Sequence, residues 1–225
     1  MSFNSRELPR TVAGVSLIAA PLFCLVSSAV APAFKSDEGA QLDVIARHPD
    51  RWYLFTVLLL AGSILLVPAL LGLASLAGER APRLAYIGGG LAVLGALISI
   101  GDVMSQLMSW QMVAKGADHA QMAALLKRFD DTGGVDGIFS VGGLAVLAGT
   151  VMLSIALIRA RSAPAWAAIG ISVAVFVNIA GFSSASGAVV ALSWLILLVA
   201  MGYIGWTMLA GGRQAVARPA LSYQE

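Results

Sequence analysis

The sequence predicts an all-α integral membrane protein, a bundle of six transmembrane helices. Three observations predict it. Of 225 residues, 59% are apolar and only 12% are charged, about half the charged share of a soluble domain. Mean hydropathy is +0.86. Six apolar runs recur along the chain, each about long enough to cross a hydrocarbon core of roughly 30 Å as a helix. A water-soluble fold of this size would need far more polar surface. No ten-residue stretch alternates apolar with polar residues, so a membrane barrel is excluded.

The runs cover residues 11–34, 52–76, 84–113, 135–158, 165–182 and 185–210 and form one domain. The first has a basic start (Arg6, Arg10) and an Ala29-x-Ala31 pair, as a signal peptide would. Its apolar stretch is longer than a signal core, so it reads as a retained helix. Pro21 and Pro68 lie mid-span in the first two runs, where proline kinks a helix and frees backbone carbonyls. Between these runs, Leu42, Ile45 and Ala46 share one face of a short helix that Pro49 ends. The third run presents Gly88, Ala92, Gly95, Ala96 and Ser99 as a smooth face for close helix approach. After it, Asp118-x-x-Gln121 resembles a capping box, and Met122, Leu125, Leu126 and Phe129 follow at helical spacing. Short amphipathic helices are therefore expected in both long loops. Residues 40–50 and 120–131 both read Ala-Gln-apolar, then basic, then Asp. Runs one–two and three–four thus read as copies of one helical hairpin. Runs five and six make a pared-down third hairpin. The fifth run repeats the small-residue face with Gly170, Ala174 and Asn178. Its border with the sixth rests on the turn-like segment 181–187, where a re-entrant pair is the alternative.

Orientation follows from Lys and Arg. With six spans both termini share one side, which holds Arg6, Arg10, Arg80, Arg83, Arg159, Arg161, Arg213 and Arg218. The other side holds Lys35, Arg47, Arg51, Lys115, Lys127 and Arg128, offset by seven acids. Both termini are expected in the cytoplasm and both long loops outside. Tyr86, Trp166 and Trp206 then mark the inner interface, and Trp52, Tyr53 and Trp110 the outer one. Trp194 fits neither belt.

Composition also excludes function classes. Net charge is +2 and the basic residues lie in scattered pairs, so no basic stripe offers itself to nucleic acid. The single cysteine, Cys24, cannot form an internal disulfide. His48 and His119 are the only histidines and both lie in loops, so a haem or zinc site in the bundle lacks imidazole ligands. There is no His-Glu-x-x-His, no phosphate loop and no pair of carboxylates in one span. The segment 181–187 looks faintly like the Gly-x-Ser-Gly of intramembrane serine proteases, but no span holds a histidine to act as base. No cofactor is expected and no catalytic set is recognisable.

Of all the charged residues, only Asp102 and Asp136 fall within the predicted spans. A carboxylate at mid-span costs about 2.5–3.5 kcal/mol on insertion scales, so Asp102 must face protein or water. At 100° per residue, Asp102, Gln106 and Ser109 fall within about 60° of one another and form a polar stripe. Asp136 and Asn178 reach the same level from the fourth and fifth spans. These five are the candidate ligand-binding residues. The competing readings are an interhelical hydrogen-bond clamp for Asp102 and a dipole-favoured helix-start acid for Asp136. Met104, Met108 and Met112 make a second stripe, about 120–130° from Asp102. Thioethers favour soft metals such as Cu(I), but Met is an ordinary gap filler in packed helices, and packing is the preferred reading.

The stretch Ile45-Ala-Arg-His-Pro-Asp-Arg-Trp-Tyr-Leu-Phe55, then Leu65-Leu-Val-Pro-Ala-Leu-Leu-Gly72 and Arg80-Ala-Pro-Arg-Leu-Ala-Tyr-Ile-Gly88, resembles a family of uncharacterised multi-pass membrane proteins of high-GC bacteria. The resemblance covers mainly the first three spans. It implies a six-span fold and carries no functional residues with it. The Ala- and Arg-rich, Lys-poor composition suits such a source.

Two functions follow as expectations. The first is a bacterial inner-membrane protein with an outward-facing polar pocket that binds or passes a small polar or cationic solute, with Asp102 as the charge partner. The second is a non-catalytic accessory, sensor or assembly subunit that docks through Gly-rich helix faces, as a homo-oligomer or with another membrane protein.

Overall fold

A computed structural model describes residues 7–35, 37–114, 117–131 and 133–217. Among them every regular element is a helix: α1 (Glu7–Val30), α2 (Glu38–Arg47), α3 (Pro49–Gly78), α4 (Pro82–Met112), α5 (His119–Asp131), α6 (Gly133–Ala160), α7 (Ala165–Ser183) and α8 (Gly187–Ala217). Six of them, α1, α3, α4, α6, α7 and α8, are long and apolar enough to cross a membrane. The protein is an all-α six-span bundle.

Local chemistry sets where the helices start. Pro49 and Pro82 open α3 and α4, where the missing N–H costs nothing. Pro49 therefore both ends α2 and begins α3, three residues ahead of the expected span. Asp37 caps α2 by accepting the Ala40 N–H at 2.8 Å. Asp118 does the same for α5, accepting from Ala120 at 2.9 Å and Gln121 at 3.2 Å. α1 and α3 run unbroken through Pro21 and Pro68. α7 is one continuous helix that reaches α8 through a turn at 184–186, so segment 181–187 joins two spans rather than a re-entrant pair. Ala185 turns with φ 49°.

The six spans stand in a ring in chain order, each against its neighbour, and α8 closes the ring on α1. Small residues allow the close seams. A Cβ on Gly14 would meet Leu209, and one on Gly205 would meet the Gly14 carbonyl and Leu17. Gly88 and Gly95 of α4 lie against Gly149, Gly142 and Val146 of α6. The smooth face of the third span is therefore consumed within the chain. The start of α1 and the end of α8 lie on one face of the ring, and α2 and α5 lie on the other. These are called the terminus face and the loop face.

Three apolar clusters pack within the ring among the described residues, the smallest around Leu70, Ala92 and Leu153 between α3, α4 and α6. Leu17, Leu73, Leu157, Met201 and Ile204 pack toward the terminus face. Leu42, Ile45, Trp52, Phe55, Leu59 and Val103 pack under α2 and α5. Met122 and Leu126 of α5 join the second cluster. Ala46 and Leu125 lie on exposed sides of their helices, and the Phe129 side chain lies outside the described residues. Tyr86, Trp166 and Trp206 are exposed near the terminus face, where an aromatic belt would lie. Trp52 differs from its expected place. It is 3% exposed, and its indole donates to the Gln106 carbonyl at 3.0 Å.

Candidate functional site

Inside the ring lies a cavity of about 390 Å³, walled by α3, α4, α6, α7 and α8. Its position follows from the α4 stripe. At Gly88, Ala92 and Gly95 the stripe is glycine- and alanine-smooth, and α6 presses against it. Four and eleven residues beyond Gly95 it carries Ser99 and Gln106, with Asp102 between them. All three line the cavity. Polar side chains too long for a close seam thus face the space between the helices.

Asn178 reaches the same cavity from α7. Its amide nitrogen donates to Ser193 Oγ of α8 at 2.8 Å, and Ser193 donates to the Val190 carbonyl at 2.6 Å. Ser183 lines the loop-face end. Trp194, which fits neither belt, is a wall of the cavity. Asp102 is the one ionisable residue among the described lining residues.

The remaining polar groups are largely committed to their own helices. Ser63 donates to Leu59 at 2.8 Å, Ser99 to Gly95 at 3.0 Å and Thr150 to Val146 at 2.8 Å. Such back-bonding satisfies the hydroxyl and leaves only acceptor lone pairs for a ligand. The deeper walls are apolar, including Leu70, Ile171, Leu197 and Met201. The chamber therefore combines one carboxyl and two amides near the loop face with an apolar interior. That is the usual make-up of a small-molecule site.

The other candidates lie elsewhere. Ser109 is buried, donates to the Ser105 carbonyl at 3.3 Å and does not line the cavity. Asp136 belongs to the first turn of α6, and its side chain lies outside the described residues. Met104 and Met108 are 46% and 63% exposed on the outer side of the ring, while Met112 packs against the loop-face cluster. The methionine stripe therefore faces away from the cavity, and its first two members fill no gap in the core. Among the described residues no group of three His, Cys, Asp or Glu side chains is placed to hold a metal. Sequence reasoning missed Ser63, Thr150, Ser193 and the role of Trp194. The lone Trp outside both belts was the signal available for the last of these.

No protein family, curated protein or solved structure matches this chain.

Proposed function

We propose that this is a bacterial inner-membrane protein with both termini cytoplasmic, whose pocket binds or passes a small polar or cationic solute from the outer side. One observation carries the reading. Asp102, Gln106 and Asn178, from two different helices, line one cavity in which Asp102 is the only ionisable group described. As a carboxylate, Asp102 pairs with a cation or accepts hydrogen bonds from it. Gln106 orients the bound group with its amide. Asn178, held through Ser193, keeps α7 and α8 in place around it.

The accessory-subunit reading rests on Gly-rich faces left for a partner. On α4 that face is occupied by α6, so this reading has less to stand on.

Thermal unfolding of the purified full chain in mild detergent tests the proposal. A panel of organic ammonium ions, neutral polyols and carboxylate anions is added in turn. A cation at a hundredfold excess over its Kd stabilises by about 2.7 kcal/mol, which raises Tm by roughly 5–10 °C for a chain of this size. Asp102→Asn abolishes the shift and leaves the unliganded Tm nearly unchanged. Equal stabilisation of the Asn variant, or none by any cation, overturns Asp102 as the charge partner.

A further inference from the structure

The cavity is not walled alike on all sides. Among neighbours in the ring, α6 and α7 pack least closely. They are joined on the terminus face by the turn at 161–164, and Ser172 donates to Ser154 across the seam at 2.8 Å. Ser154 is 5% exposed there. From Ser172 the α6-facing stripe of α7 continues at helical spacing to Val175 and Ile179. Both line the cavity, and Ile179 is 41% exposed. The opposed stripe of α6 runs from Ser154 through Thr150 to Gly143. Gly143 lines the cavity, and a Cβ there would meet nothing within 4 Å. The two helices therefore meet near the terminus face and part toward the loop face.

The gap lies along a stretch of α7 that is apolar enough to cross a membrane. Ile179 lies four residues before the end of α7, about 6 Å along the helix axis. The rim of the gap is apolar: Ile179 and Phe182 are both exposed and both line the cavity. Asp102 is exposed too and lines the same chamber. The loop face is covered over α3, α4 and α6. Phe34 lies edge-on to Phe182, Phe55 and Trp52, and α2 and α5 pack over the ends of α3, α4 and α6.

We infer that the α6–α7 seam is a lateral portal and that the site takes an amphiphilic ammonium compound from the loop-face leaflet of the bilayer. The inference rests on the cation-binding reading of Asp102 and adds the entry route and the body of the ligand. The ammonium head pairs with Asp102 beside Gln106. The alkyl chain lies against Leu70, Val146, Ile171 and Met201. A small hydrophilic ion would have to shed its water into a chamber with few polar partners. An alkylammonium keeps its head at the polar end and exchanges lipid for apolar wall along its chain. It also reaches Asp102 without passing the cover that α2 and α5 form over α3, α4 and α6.

The test uses the full chain in phosphatidylcholine vesicles, with Trp194 as reporter. Subtracting the emission of Trp194→Phe isolates its signal. The probes are ω-bromoundecylamine, whose bromine quenches tryptophan, and the short hydrophilic bromoethylamine. The long amine quenches Trp194 saturably, decylamine relieves the quenching and decyl sulfate does not. Asp102→Asn weakens the effect at least tenfold. Gly143→Trp, which fills the gap, also weakens it at least tenfold. Should that variant not fold, Ile179→Ala widens the same rim and speeds the onset of quenching at least threefold. Equal quenching by bromoethylamine, or indifference to the rim substitutions, overturns the portal and leaves the cation site standing. Absence of saturable quenching by either amine overturns the cation site itself.

Discussion

Asp102 and Trp52 show how much one side chain can decide here. A mid-span carboxyl costs about 2.5–3.5 kcal/mol to insert, so the chain must place Asp102 where protein or solvent can meet it. The cavity supplies that place, close to Gln106 and Asn178. Trp52 supports the same region from α3 through its bond to the Gln106 carbonyl. Removing that bond while keeping an aromatic ring, as in Trp52→Phe, is expected to cost about 1–2 kcal/mol, from the lost hydrogen bond and the space left behind. Unfolding of the variant in mixed micelles measures it, and a stability within about 0.5 kcal/mol of the parent would show that the clamp contributes nothing. The existence of a charged candidate was legible in the sequence, because so few charges fall within spans. Trp52 was not. A tryptophan at the head of a span has the same apolar body and polar tip whether it faces headgroups or a neighbouring helix.

At the scale of elements, glycines sort into two kinds. At Gly149 a Cβ would meet the backbone of Ala92 and Gly88, and at Gly143 it would meet nothing within 4 Å. Gly149→Ala must push α4 from α6 and is expected to destabilise by about 1–3 kcal/mol. Gly143→Ala is expected to be neutral or to stabilise by up to about 1 kcal/mol through helix propensity. Unfolding of the two variants side by side checks the contrast, and equal losses would contradict the open gap between α6 and α7. Sequence spacing identified the smooth face of α4 but could not say whether α6 or a partner covers it, since any helix with small residues opposite would fit. The short helices α2 and α5 were legible from period and capping. Leu42 and Ile45 are buried as the pattern requires. Ala46 lies toward the solvent side because the buried stripe is narrow, centred on those two larger side chains.

For the whole molecule, orientation and access can be read from outside. Gln121 is exposed on α5, whereas Cys24 is fully buried. A membrane-impermeant maleimide applied to intact bacterial cells is therefore expected to label Gln121→Cys and to leave the parent chain unlabelled. A fluorescent-protein fusion at the C-terminus is expected to fold and fluoresce in the cytoplasm. Labelling of Gln121→Cys only after lysis would reverse the orientation. The sequence by itself determined the membrane class, the six spans, the two loop helices and the scarcity of charge within the spans. These depend on composition and on the 3.6-residue period, which are local properties of the chain. The closing of the ring of α1 on α8, the cavity and the parting of α6 from α7 were decided only by the tertiary structure. They depend on which small residues meet across a seam and where longer side chains hold two helices apart. Those distances between helices have no local signature in the chain.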